Sequence, residues 1–414
     1  MRVWIVNPFD PVPGDPEQDG RYATLARLLA ARGHSVLWWT SAFSHRFKCR
    51  RDRAGLTAVC RKLGIGVEFL NAPDYYHNVG LRRIWNHCVL ARTFESKAAG
   101  YQPAPEVVVA SCPPPGLAAS AAKVARRRGA AFLVDVQDLW PENFYRLTPA
   151  WLRPLARLLL RPMARSARRA YGMADTIVGV ADGYVQRAVE VAGMASRLIT
   201  IPLGVDLSSL EAARGGRPAQ VSQKGAGHVW FIYSGSFTRN YDWPTVLEAA
   251  ARLPHSIRSR CRFFLTGTGD LLKSLQALCR RLRLDEITTT GFLGFSEWVQ
   301  LLDQCDVGIN ACLPEAQIFL PNKVFYYLAA GLAVVNSVPG QCSQMLRDAD
   351  CGIDYRAGDP MSCAEAIEYL VTHPQRLQSM RESAARLGRA FDRRFLYERY
   401  VAEIERLGHP LPDG

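Results

Sequence analysis

The chain has 414 residues, 48% hydrophobic and 21% charged, which is long enough for two domains with their own cores and too apolar for a disordered polymer. Eleven cysteines, at 49, 60, 88, 112, 261, 279, 305, 312, 342, 351 and 363, form no CxxC pair. This odd, unpatterned set argues against a disulfide scaffold or a zinc framework and fits reduced, mostly buried thiols in a cytoplasm. The formal net charge of +13 suits an anionic partner without choosing among nucleic acid, anionic lipid and phosphorylated small molecules. The opening apolar run Val3, Trp4, Ile5, Val6 is too short for a signal peptide or a membrane span and has no basic leader.

Short runs rich in Val, Ile, Phe and Trp alternate with segments at helical spacing, the pattern of βαβ units and a parallel sheet. The first half predicts strands near residues 2–8, 35–40, 66–71, 106–111, 131–136, 175–180 and 197–201. After Val205 and Asp206, residues 207–228 read as a linker, because Arg214 to Gly227 is rich in Gly, Ser, Gln and Lys. The pattern then restarts with strands at 229–234, 262–266, 287–290, 306–310 and 333–336 and helices at 243–253 and 270–283. From Asp392 to Leu407, apolar residues at helical intervals predict a last helix. Two similarly built halves, 1–206 and 229–390, with a tail at 391–414, are expected to face each other across a cleft that binds ligand beyond the carboxyl ends of the strands.

Several stretches carry chemistry. A loop with Gly14, Asp19 and Gly20 precedes a helix, an arrangement that offers N–H groups to an anion or is simply a βα turn. Asp138 and Glu142 follow a buried strand, where carboxylates are costly without a partner; capping of the turn by Asp138 is the alternative. Arg153, Arg157, Arg161 and Arg165 lie at i, i+4 spacing, together with Arg168 and Arg169, and suit either an anionic membrane surface or a solvated face; Pro154 and Pro162 are expected to break the run into shorter helices. Gly235, Ser236 and Arg239 follow a strand as a small turn beside a cation, suited to a diphosphate, and Gly267 and Gly269 repeat the design. Pro321, Asn322 and Lys323 open a short helix that ends at Gly331, with Lys323 set against the helix dipole as though an anion sat there. No nucleic-acid-binding module is recognisable.

These residues carry a likeness. With Gly20, Gly33 and His34, the run Asp138 to Glu142, Gly235, Gly267 and Gly269, Gly291 to Gly294, and above all Pro321 to Lys323 leading to Gly331, the chain resembles retaining glycosyltransferases of family four. That family has the GT-B fold, an α/β architecture of two Rossmann-like doubly wound domains, and includes bacterial surface-polysaccharide enzymes. The resemblance implies an acceptor-binding N-terminal domain, a C-terminal domain that binds a nucleoside diphosphate sugar, a tail helix crossing back to the first domain, and neither cofactor nor divalent metal. Two departures concern the donor. Tyr326 stands where the family commonly has the glutamate that holds the ribose, and Ile318 where it has the partner acid; Ser236 and Asn240 or Tyr241 replace the usual Arg and Lys of the Gly235 turn.

The expected function is therefore transfer of a sugar from a nucleoside diphosphate to a glycan or lipid-linked acceptor, with retention, in the cytoplasm or at the inner face of the membrane. Arg239 and Lys323 would hold the diphosphate and Gly235 and Ser236 would let it approach the backbone. Gly267, Gly269 and Leu293 would line the nucleotide cleft beside Asn322 and Tyr326. Asp138 and Glu142 would orient hydroxyls, with Asp19 and Gly20 in a loop near acceptor or donor. A non-catalytic scaffold that lost donor binding, and a sugar-nucleotide epimerase, are the alternatives.

Overall fold

The computed structural model describes residues 1–16, 19–77, 80–193, 197–215 and 224–408. The chain divides into two compact units, Met1–Leu203 with Arg394–Gly414, and Gly204–Arg393.

The first unit contains strands β1 (Arg2–Val6), β2 (Ser35–Ser41), β3 (Phe43–Ser44), β4 (Cys49–Arg50), β5 (Ile65–Leu70), β6 (Val107–Cys112), β7 (Ala131–Val136), β8 (Thr176–Gly179) and β9 (Arg197–Thr200). Seven of them form one parallel sheet in the order β5-β2-β1-β6-β7-β8-β9, while β3 and β4 make a small antiparallel hairpin. β6 is buried along its whole length and β7 nearly so, as expected for strands covered on both faces by helices. The tail helix Arg393–Gly408 contributes Tyr397, Tyr400, Val401 and Ile404 to the core of this unit, against Val3, Ile5 and Leu133.

The second unit contains β10 (Val229–Ser234), β11 (Cys261–Thr266), β12 (Ile287–Gly291), β13 (Val307–Asn310), β14 (Ala333–Asn336) and β15 (Gly352–Asp354), parallel in the order β12-β11-β10-β13-β14-β15. Phe231 and Phe263 stack at 4.8 Å in its core. Both sheets therefore have the doubly wound order, with the switch point between β1 and β6 in the first and between β10 and β13 in the second. The predicted fold class holds.

Three features depart from the sequence reading. Leu207–Arg214, placed in the linker, is a helix: Asp206 caps it by accepting from Ser209 N, and Leu210 and Ala213 pack on Val299. Of the remaining linker, residues 216–223 lie outside the described residues. The hairpin β3–β4 and the three-residue edge strand β15 were not predicted, because segments this short have no periodicity to read. The arginine run is broken as expected, into Ala150–Leu152, Arg153–Leu159 and Arg161–Gly172, with proline in the first turn of each longer piece.

Candidate functional site

In the second unit, chemistry gathers at the carboxyl end of β10, beside the switch point. Three hydrogen bonds fix the turn there. Tyr327 Oη accepts from Ser234 N at 2.9 Å, Trp298 Nε1 donates to Ser234 Oγ at 2.6 Å, and Gly235 N donates to Thr266 O at 3.0 Å. Gly235 has φ 145°, and a Cβ on it would come 3.3 Å from Lys323 Nζ.

Lys323 is the second residue of the helix Asn322–Ala329. Its Nζ lies 3.7 Å from the centroid of the Tyr233 ring and 4.3 Å from that of Tyr241, is shielded from solvent, and has no hydrogen-bond partner among the described residues. Burial pushes its pKa down to about 7. The rings attract a cation through their faces but accept no conventional hydrogen bond, so three N–H donors are left unused at a cost of about 1–3 kcal/mol. The helix behind it has no acidic residue in its first turn and no side-chain cap. Ammonium and helix terminus together define a site for an anion.

The other predicted residues of this unit fall into two groups. Gly267 and Gly269 are required by packing of backbone on backbone: a Cβ would lie 1.9 Å from Gly235 O in one case and 2.4 Å from Phe237 O in the other. The loops are also tied by Phe237 N to Thr268 O at 2.9 Å and Leu271 N to Phe237 O at 3.1 Å. Gly267→Ala, at φ 128°, is therefore expected to cost about 1–3 kcal/mol and to be visible as a lowered midpoint in urea, because neither backbone can retreat without breaking those bonds. Ser236, Arg239 and Asn322 are exposed and Leu293 is half-buried. Tyr326 packs its ring against Trp298 at 5.0 Å and Phe295 at 6.4 Å. Tyr233 and Tyr241, which enclose the lysine, were missed from sequence, because neither has a spacing that sets it apart from core aromatics.

In the first unit, the predicted residues are engaged internally. Asp10 caps the helix Arg21–Ala31 through Tyr22 N at 3.3 Å, and a Cβ on Gly20 would come 2.8 Å from Asp10 Oδ2. The helix end expected to receive an anion thus already has a carboxylate. Asp19 pairs with Arg27 at 2.8 Å. Asp138 accepts from Leu139 N at 2.9 Å, Trp140 Nε1 at 3.0 Å and Asn143 Nδ2, so it holds its own loop together. Burial nonetheless raises its pKa against those bonds and the nearby Arg83. Glu142 pairs with Arg187 at 2.8 Å. The capping alternative for Asp138 matches this geometry.

Beyond the strand ends of this unit stands a group that the sequence reading passed over: Lys48, Tyr75, Arg83 and His87, with His45. Tyr75 Oη and His45 Nδ1 are 2.7 Å apart, and Lys48 Nζ is 3.2 Å from the same nitrogen. Arg83 stacks 4.8 Å from the Trp140 ring centroid. The only sequence signal was Arg83 and His87 at i, i+4 on one helix. Among the described residues no group of three or more His, Cys, Asp or Glu side chains is placed to hold a metal ion.

Comparison with known proteins agrees with this architecture. Residues 20–204 match the glycosyl transferase 4-like domain and residues 228–373 match the domain of glycosyl transferases group 1. The chain belongs to the group 1 glycosyltransferases, family four, and has the GT-B fold. Among solved structures it is similar to Anabaena Alr3699/HepE in complex with UDP, at 15% identity and TM-score 0.67, covering 98% of this chain and 100% of that one. It is also similar to WaaG, a glycosyltransferase involved in lipopolysaccharide biosynthesis (16%, TM-score 0.69, 98% and 99%). A third is the sucrose-phosphate synthase of Thermosynechococcus elongatus (15%, TM-score 0.69, 98% and 99%). No curated protein matches in sequence.

Proposed function

We propose that this glycosyltransferase moves a hexosyl group from a nucleoside diphosphate sugar to a hydroxyl of a glycan or lipid-linked acceptor, with retention and without a metal, in the building of a surface polysaccharide. The observation that carries the donor half is the unpartnered Lys323 ammonium, enclosed by Tyr233 and Tyr241 beside Gly235 at the switch point. Departure of the diphosphate builds negative charge on its oxygens. A fixed cation and a helix N-terminus at that place stabilise the transition state more than the ground state. Exposed Arg239, in the same loop, is the second cation, and the complex of the similar Anabaena protein with UDP supports a nucleoside diphosphate as the ligand. Lys323 and Arg239 supply the charge a metal otherwise would, so EDTA should leave turnover unchanged.

The test is a thermal-shift panel with UDP, GDP, dTDP and CMP; a ligand at a hundred times its dissociation constant stabilises by about 2.7 kcal/mol. A shift with one diphosphate names the donor base, and the anomeric configuration of the product then decides retention. Tyr326, packed in an apolar cluster where the ribose-binding glutamate is expected, favours a second reading, a non-catalytic partner; absence of any shift would install it.

We place the protein on the cytoplasmic face of a membrane. All eleven cysteines are free, and no described helix is long and apolar enough to cross a bilayer. Arg153 and Arg157 are exposed, with Leu159, 68% exposed, on the helix Arg153–Leu159, which buries none of its side chains; Trp151, 78% exposed, precedes it, and Arg161 and Arg165 are exposed on the helix that follows. Basic and apolar side chains displayed together suit an anionic lipid surface. The protein should sediment with anionic vesicles at low salt, and Trp151→Ser with Leu159→Ser should release it; failure to sediment would leave the arginines as a solvated face.

A further inference from the structure

Beside the anion site, the second unit presents a wall of rings. Phe295 and Trp298 stand one turn apart at the start of the helix Phe295–Gln304, and Tyr326 stands about 4.5 Å further along the helix axis than Lys323 on Asn322–Ala329. Ring centroids are 5.9 Å apart for Phe295 and Trp298, 5.0 Å for Trp298 and Tyr326, and 6.4 Å for Phe295 and Tyr326. Leu207, Leu210 and Val299 back this cluster, yet all three rings are only half-buried and keep part of their surface open. The wall joins the anion site through the turn after β10. Trp298 Nε1 donates to Ser234 Oγ at 2.6 Å, and the next residue, Gly235, is the one whose Cβ would come 3.3 Å from Lys323 Nζ. A group covalently attached to an anion on Lys323 is therefore within reach of the rings.

The acids of the three helices that build the wall are missing or engaged elsewhere. Asn322–Ala329 contains neither Asp nor Glu. In Phe295–Gln304, Glu297 accepts from Gly294 N at 3.1 Å and Asp303 pairs with Arg214 at 2.9 Å. In Leu207–Arg214, Glu211 also pairs with Arg214, and Asp206 caps the helix start. This distribution bears on the pentose of a nucleotide. Ribose carries two adjacent hydroxyls, which a carboxylate can accept together through its two oxygens, whereas Tyr326 has a single oxygen at the rim of its ring. Laid against rings, a 2′-hydroxyl gives up water and gains no partner, while a 2′-methylene buries apolar surface on an apolar wall. A wall of this kind selects weakly, and it selects against the hydroxyl.

We infer that the donor site takes a 2′-deoxynucleoside diphosphate sugar, with the diphosphate on Lys323 and the carbon face of the deoxyribose on Tyr326 and Trp298. This rests on the reading that Lys323 holds a donor diphosphate, and it makes Tyr326 the residue that sets the choice of pentose. On this assignment Tyr326 changes the class of donor, where the non-catalytic reading has it abolish donor binding.

The test is calorimetry on the full chain with pairs that differ only at the 2′ position: UDP and dUDP, GDP and dGDP, ADP and dADP, CDP and dCDP. With the base that the protein accepts, the deoxy member should bind about tenfold more tightly. Tyr326→Glu should reverse the order, tightening the ribonucleotide about tenfold and leaving the deoxynucleotide unchanged or weaker. Tyr326→Phe keeps a ring in the cluster and carries the test if the glutamate disturbs packing; it should leave the ratio of the pair unchanged within about twofold. A deoxy preference below threefold in the wild type, or any preference for the ribonucleotide, overturns the inference. So does a Tyr326→Phe variant that loses affinity for the ribonucleotide alone, because the phenol would then be the ligand of the 2′-hydroxyl. Failure of the donor reading looks different: no diphosphate of either kind binds, and the inference falls with it.

Discussion

Lys323→Gln is expected to weaken nucleoside diphosphate binding by two to three orders of magnitude while leaving the melting temperature of the free protein unchanged or raised. A charge-assisted bond made in a dry site contributes about 1.5–3 kcal/mol, and a second oxygen on the same ammonium adds to it. The free protein gains nothing from the amine except the faces of Tyr233 and Tyr241, and bears the cost of its three unused donors. A stability residue would show the reverse, a lowered melting point with affinity following.

The pH dependence sharpens the distinction. With Lys323 near 7 by burial, the free site is charged below pH 7 and increasingly neutral above it. Burial keeps two of its neighbours out of that range, holding Tyr233 far above its usual value and Cys312 at about 11. A diphosphate binds the charged form, so its affinity should be flat below pH 7 and fall by up to tenfold per unit above it, with a proton taken up on binding at pH 8. For stability the sign is opposite. Between about 7, folded, and 10.5, the ordinary value, the unfolded chain binds more protons, so this group makes the free protein more stable as pH rises through that window. Titration calorimetry in two buffers at pH 8 reads the proton directly; no uptake would mean that the ammonium is not the diphosphate ligand.

The fold was legible because its strands are short apolar runs between helical segments, and parallel sheets bury such runs on both faces. Lys323 was legible for a related reason: a cation in the first turn of a helix contradicts the dipole, and local contradictions mark ligands. The group of His45, Lys48, Tyr75, Arg83 and His87 was not, since its members come from separate loops and one helix and meet only in three dimensions. Asp138 and Asp135 show how sequence misleads here. Asp135 lies in β7 and Asp138 just after it, and the argument that a carboxylate at a buried strand end needs a partner was sound, but the partner of Asp138 is its own loop. The fully buried charge is Asp135, three residues earlier, whose partner Arg21 lies more than a hundred positions away. Glycines 267 and 269 are ambiguous for a related reason, because close approach to another loop, which the structure shows, and close approach to a phosphate ask the same thing of a residue.

Breaking the Arg21–Asp135 pair should give the largest stability loss. Arg21 donates through Nε to Asp135 Oδ2 at 2.7 Å and through Nη2 to Oδ1 at 3.2 Å, with both side chains buried. Its remaining donors reach Ile201 O at 2.9 Å and Tyr397 Oη at 3.3 Å, and Tyr22 Oη donates to Asp135 at 2.8 Å. Arg21→Met leaves Asp135 charged and buried without its counter-ion, at about 3–5 kcal/mol. In a unit of this size that lowers the melting point by about 6–20 °C. Asp135→Leu alone strands the guanidinium and should cost a similar amount, whereas Arg21→Met with Asp135→Leu should recover much of the loss, because the pair itself stabilises little beyond an apolar equivalent. Additive losses in the double variant would show instead that the Arg21 bonds to Ile201 and Tyr397 carry the energy. Hydrogen exchange separates these cases: Tyr397 and Tyr400 stack on the Arg21 guanidinium at 5.1 and 4.9 Å, so Arg21→Met should speed exchange in the tail helix Arg393–Gly408 ahead of the sheet.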